Sequence, residues 1–296
     1  MPGSILASAT AETAALPIPA AAGARWPGRL LRVPAGAVGL ALTVALVMVA
    51  VLADHLTPGD PFASVAPSLA PPSWRHPMGT DDLGRDLLTG VVHGARTSLV
   101  VVLTVSAIAT VIGIGVGALA GYRGRITDDA LMRVTELVQV VPRFFLAVVV
   151  IALFGPGLDR LVVLLGVTSW PWLARVVRAE TLSLRTHPWV DAARSLGAPT
   201  WRILLRHVLP NVLPAALVVV SLNAASVLLL EAGLSFLGLG DPHRMSWGYL
   251  ASNAQRFLRV AWWMTLFPGL AIALAVLGLN LLGDALNDAL SPGRRR

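Results

Sequence analysis

Asp191-Ala192-Ala193, three further residues, Gly197, nine more, and then His207-Val208-Leu209-Pro210 lie in an arginine-rich segment between two strongly apolar stretches. The segment 186–210 reads as two short helices joined by a bend. Thr186 and Pro188 suit a helix start, Asp191 sets a negative charge in the positive first turn, and Gly197 fits the left-handed stop position. Pro199-Thr200 restarts the chain into Trp201-Arg202-Ile203-Leu204-Leu205-Arg206-His207, closing at Leu209-Pro210 where an apolar span begins. The alanines leave a small face that can sit deep in a partner's groove. A helix lying flat on lipid is the competing reading of the same residues.

Outward from this segment, the chain is too apolar for an ordinary soluble protein: 296 residues, 55% hydrophobic, 13% charged, with a mean hydropathy of +0.72. A spanning helix needs about 20 mostly apolar residues. Six stretches qualify, near 35–53, 97–120, 137–154, 160–177, 211–233 and 262–283. The fourth is the least regular, because Trp170-Pro171-Trp172 interrupts it, and the interruption is expected to be a kink rather than an end. All 23 basic residues are arginine. With no lysine, the chain cannot supply the phosphate-gripping lysine of a GxxxxGK[ST] loop, so any ATP that drives it is held by a partner.

The net charge of +7 taken alone points to nucleic acid or acidic lipid, but the arginines cluster in short loops beside the spans. With the N-terminus cytoplasmic, 15 arginines fall inside, among them Arg25, Arg123, Arg185 and Arg296, against seven outside. Both termini are therefore expected in the cytoplasm, and nucleic acid is not an expected partner. Zero cysteines exclude disulfides and thiolate metal sites, and the six histidines form no HExxH pair. Residues 1–30, rich in alanine and proline, read as a disordered cytoplasmic tail before a membrane domain over 31–296. Two loops expected outside are long, 54–96 and 238–261.

The first of these carries His76-Pro77-Met78-Gly79-Thr80-Asp81-Asp82-Leu83-Gly84-Arg85-Asp86. Its aspartates lack EF-hand spacing and a closing Glu, so a turn salt-bridged by Arg85 is preferred to a metal site. The run is similar to the HPxGTDxxGRD signature of the peptide and nickel class of ABC importer permeases. The segment around Asp191 resembles the EAA-x3-G-x9-I-x-LP loop of the same importers, with Asp191 in place of Glu and His207 in place of an apolar residue. The likeness continues through Gly121-Tyr122-Arg123-Gly124, Leu230-Glu231-Ala232-Gly233-Leu234-Ser235-Phe236-Leu237-Gly238, Ser246-Trp247-Gly248 and Asn280-Leu281-Leu282-Gly283-Asp284. The chain looks most like the second, C-type permease of dipeptide and oligopeptide importers.

That resemblance implies an all-α membrane protein of the type I importer architecture, resident in the inner cell membrane. It implies a heterodimer with a second, related permease, two ATPase subunits that bind ATP and Mg, and an extracytoplasmic substrate-binding protein. It assigns ATPase coupling to Asp191, Ala192, Ala193, Gly197, His207, Leu209 and Pro210 within a cytoplasmic loop over 178–210, and an outer signature to Gly79, Thr80, Asp81, Asp82, Gly84, Arg85 and Asp86. The chain itself is expected to hold no cofactor and to catalyse nothing. Relatives carry dipeptides, longer peptides, glutathione, haem or nickel.

Polar residues inside the spans are the remaining candidates. Glu231 and Asn223 can line a transport path, but Glu231 lies near a span end, which favours pairing with Arg256 or Arg259. Asn223, Ser226 and Asn280 are expected to hydrogen-bond to neighbouring helices, and Gly113, Gly115, Gly117 and Gly121 to allow close packing. An intramembrane serine protease at Ser235 is disfavoured: no glycine follows it directly and no histidine lies in the spans. An independent secondary transporter lacks an obvious inverted repeat.

Overall fold

The computed structural model describes residues 33–290. The expected disordered tail over 1–30, and the arginines at both ends of the chain that enter the orientation count, lie outside those residues. Long helices dominate because the apolar runs leave backbone N–H and C=O groups no partner in hydrocarbon except one another. Among the described residues, five helices are long and apolar enough to cross a membrane, with a sixth crossing if a bent pair counts as one span.

The chain begins with α1 (Pro34–Val51) and a single turn, α2 (Ala53–Leu56). An extended segment leads to α3 (Leu87–Arg123), 37 residues long, which starts ten residues before the apolar stretch expected from sequence. Asp86 explains the early start, since its side chain accepts from the Thr89 N–H as the N-cap. Helix α3 packs along α6 (Leu158–Leu184) through a ladder of small residues. A Cβ on Gly117 would come 2.8 Å from the Val177 Cβ, and one on Gly121 2.7 Å from the Arg178 carbonyl oxygen. Gly113 meets Leu173 in the same way, whereas Gly115 faces open space. Three of the four glycines therefore sit on the contact, at a spacing of four residues that keeps them on one face. On the far side of the bundle, Gly39 of α1 lies against the backbone of Leu281 and Leu282 in α11 (Trp263–Leu290).

The third expected span is not one helix. It is α4 (Arg125–Val140) and α5 (Arg143–Phe154), bent by 72° at the break. Pro142 is the cause: a residue before proline is excluded from the helical region, and Val141 stands at ψ 118. Helix α5 alone is about 18 Å long, too short to cross hydrocarbon, while α4 carries charges and an amphipathic pattern. Conversely, the stretch that sequence makes least regular is whole, for α6 runs without interruption through a buried Trp170 and Pro171.

After α6 come α7 (Pro188–Ser195) and α8 (Thr200–Ile203). The helix does not close at Leu209-Pro210 as expected. It passes through one π-turn, Leu204–Val208, into α9 (Leu209–Phe236). Pro210 has no N–H for the Arg206 carbonyl and its ring crowds that oxygen; the wider turn just ahead relieves both. A short α10 (Trp247–Ala254), N-capped by Ser246, precedes α11. Loop 57–86 and α10 mark one end of the bundle, the signature end, and α7 marks the other.

Candidate functional site

At the signature end, loop 57–86 folds into a knot around two buried residues, Thr80 and Asp81. The Asp81 carboxylate accepts the N–H groups of Leu83 (2.9 Å) and Arg85 (2.8 Å), while its own N–H donates to the Arg85 carbonyl at 3.0 Å. Arg85 Nε lies 4.0 Å from the carboxylate, so the expected ion pair is present but backbone donors hold the turn more directly. Burial pushes the Asp81 carboxyl above its ordinary range, against the opposing effect of those N–H bonds and of the Arg85 charge. Gly79 and Gly84 take φ +75 and +73, conformations that a side chain resists.

The knot is tied to the bundle at several points. Thr80 donates its hydroxyl to the Pro67 carbonyl (2.7 Å), and its own carbonyl accepts Trp263 Nε1–H of α11 at 3.1 Å. Arg85 reaches Tyr249 of α10 at 3.2 Å and lies over the Phe62 ring. Asp86 accepts from Thr89 and bonds His76 Nδ1 at 2.8 Å. The Asp82 side chain instead lines a polar surface cavity with Asn253, Gln255 and Arg256. Among the described residues, no group of three or more His, Asp or Glu side chains is arranged to hold a metal.

Beneath this knot sits Glu231, 1% exposed. Its carboxylate takes the Ser235 hydroxyl at 2.9 Å and the Ser98 hydroxyl at 3.5 Å, and Ser246 also bonds to it. The expected pairing with Arg256 or Arg259 is not what the fold makes. Both arginines lie in the α10–α11 connection, and three hydroxyls from α3, α9 and the α10 cap reach the carboxylate instead. A Cβ on Gly248 would come 2.8 Å from the Ala232 carbonyl, and this close approach lets α10 cover Glu231. Ser226 hydroxyl donates to Leu222 of its own helix at 3.4 Å rather than across to a neighbour. Asn223 and Asn280, half-buried, make no side-chain hydrogen bond among the described residues.

At the opposite end α7 protrudes. Val190 and Ala193 are buried against Val177, Ile203 and Val208, whereas Asp191, Ala192 and Arg194 face outward. The helix stops as the sequence predicts. Gly197 stands at φ +74, its N–H donates to Arg194 O at 2.9 Å, and the Ala198 N–H donates to Ala193 O at 3.1 Å, the two bonds of a Schellman motif. Asp191 pairs with Arg194 at 3.1 Å, and Arg194 also donates to Tyr122 at 3.2 Å and lies over its ring. His207 packs its ring near that of Trp189, with centroids 6.3 Å apart, so an aromatic contact stands where the family pattern has an apolar one. Leu209 is half-buried and Pro210 exposed.

Sequence reasoning did not find the ion pair between Asp128 of α4 and Arg178 of α6, in which Arg178 Nη2 donates to Asp128 Oδ2 at 2.6 Å. Nothing local signals it, because the partners are 50 residues apart. Ser98, 133 residues from Glu231, escaped for the same reason.

Five apolar helices long enough to cross a membrane and a bent pair that can make a sixth, with a small protruding helix at one end and a clamped knot at the other, define a multi-pass membrane protein. The chain belongs to the inner-membrane components of binding-protein-dependent transport systems, whose family pattern matches residues 113–296. It is 38% identical over 258 residues to the dipeptide transport system permease protein DppC of Alkalihalophilus pseudofirmus, covering 86% of this chain and 84% of that one. It is also 38% identical over 262 residues to the di/tripeptide transport system permease protein DppC of Pseudomonas aeruginosa, covering 86% of each. Its fold matches a chain of the inward-facing MetNI methionine ABC transporter with a TM-score of 0.57 at 22% identity, over 69% of this chain and 97% of that one.

Proposed function

We propose that this chain forms half of an import pore for dipeptides or short oligopeptides and is driven through residues 186–210 by ATPase subunits. The other half is a second, related permease. An extracytoplasmic binding protein delivers cargo at the signature end, and two ATPases, which hold ATP and Mg, dock at the α7 end. Both termini lie in the cytoplasm, as the arginine bias requires, and loops 54–96 and 238–261 lie outside.

The observation that carries this reading is the construction of α7. Two apolar residues root it in the bundle core, a glycine stop fixes its length, and its polar face points away from the bundle. Such a helix transmits a push rigidly into α6 and α9, the movement that alternating access needs. A helix lying on lipid would turn its apolar face to the membrane, whereas Val190 and Ala193 are spent on the protein. The peptide cargo rests on the relatives' transport of dipeptides and tripeptides; haem, nickel and glutathione are the alternatives within the same architecture.

The test is uptake of a labelled dipeptide by a strain lacking the gene, with tripeptides, haem and nickel as competitors. Restoration by wild type but not by Asp191→Arg is the expected result, with the variant still present in the membrane. Normal uptake with Asp191→Arg would remove the coupling role, and unchanged uptake in the deletion strain would remove the dipeptide cargo.

A further inference from the structure

Arg143, the first residue of α5, is a permanently charged group in a spanning unit with no ion pair, hydrogen bond or ring contact to its side chain among the described residues. Its depth follows from its neighbours. Leu146 and Val150 of α5 share a groove with Val163, Val167 and Thr168 of α6. One turn before Leu146, Arg143 lies level with Pro171 and Trp172, about 20 Å along an α6 helix of about 40 Å in all. That is inside the apolar stretch of α6, near 160–177, which crosses the membrane.

Three observations place it beside water rather than lipid. A charge at that depth faces a protein interior or an aqueous path. The 72° break at Val141–Pro142 interrupts the backbone at the same level, and irregular backbone is tolerated there only where protein or water covers it. Asn223, halfway along α9, is also half-buried without a side-chain partner, and α9 packs against α5. Lipid phosphates are poor candidates for the missing anion, since they lie about 15 Å or more from the midplane.

We propose that Arg143 is a cargo-binding residue of the translocation path, taking the terminal carboxylate of a peptide as it passes through the membrane. This rests on the peptide reading above. The guanidinium fork suits a two-oxygen anion, and every cargo of that class carries one whatever its side chains. A site that reads only the carboxylate serves a permease whose cargo sequence varies.

The complete complex, reconstituted with its binding protein, tests this. Uptake of labelled dialanine is compared with uptake of dialanine amide in wild type, Arg143→Gln and Arg143→Lys. Selection by the binding protein is common to all three and cancels. The wild-type preference for the acid over the amide is expected to exceed that of Arg143→Gln by about tenfold, the low end for one charge-assisted hydrogen bond, with Arg143→Lys, which keeps the charge but loses the two-pronged fork, falling between them. Co-purification of the second permease is expected to be unchanged. An equal acid-to-amide ratio in wild type and Arg143→Gln overturns the inference and leaves the peptide reading intact. Loss of the second permease from Arg143→Gln, restored in Arg143→Lys, overturns it in favour of an ion pair between subunits. A wild type that moves neither compound overturns the peptide reading and this inference together.

Discussion

At Glu231 a carboxylate is almost wholly buried with hydroxyls and no arginine around it. An acid so placed is tolerable only while its oxygens stay bonded, and removing it strands three serine donors. Glu231→Ala is therefore expected to cost about 1–3 kcal/mol of stability and Glu231→Gln much less, because the amide oxygen still accepts; thermal unfolding of the purified protein measures the difference. Asp81 gives a pH signature. Burial holds its carboxyl above the ordinary range, so the folded protein keeps the proton at pH values where the unfolded chain has lost it, and folding gains as pH falls through that interval. The difference in Tm, wild type minus Asp81→Asn, is expected to grow as pH is lowered from about 7 to about 4. Both residues stand out in the sequence as acids in odd places. The partners of Asp81 are local, Leu83 and Arg85, and one helical turn separates Glu231 from Ser235, but Ser98 lies 133 residues from Glu231 and is not signalled by it.

Helices show a different division. The Schellman stop of α7 is readable from Gly197 alone, since only glycine adopts φ +74 without strain. Gly197→Ala is expected to cost about 1 kcal/mol in local stability, detectable as faster amide exchange in α7, whereas Gly197→Trp should stop uptake while leaving the protein in the membrane. The break between α4 and α5 was equally available at Pro142, yet the apolar run over 137–154 masked it. Pro171, which looks just as disruptive, leaves α6 continuous. The difference is surroundings: Pro171 is buried in the packed bundle, whereas Val141 and Pro142 are exposed. Asp128→Asn is expected to loosen α4 from α6 by about 1–3 kcal/mol, a value below that of a fully buried pair because Arg178 remains 34% exposed.

Across the whole molecule, large apolar side chains such as Phe145 and Leu153 on α5, Val111 on α3 and Leu217 on α9 are exposed. Lipid accounts for much of that surface, but α5 buries only Ala147 and Ile151 among its 12 residues. A second permease is expected to cover it, and the chain expressed alone should be degraded faster than when co-expressed with that subunit, as pulse-chase labelling would read. Gly117→Leu should abolish accumulation even with the partner present, because the added side chain must displace the α6 backbone at Ala174.

Hydropathy and two short motifs determined the helical membrane class and the two segments that the fold sets at opposite ends, because these depend on local composition and spacing. Contacts between residues apart in sequence were decided only in the folded bundle, namely the Ser98 bond to Glu231, the Asp128–Arg178 pair and the ring contact of His207, and so was which of two prolines breaks its helix. A proline's cost and a buried charge's partner are set by what packs around them, and packing joins residues that the sequence keeps far apart.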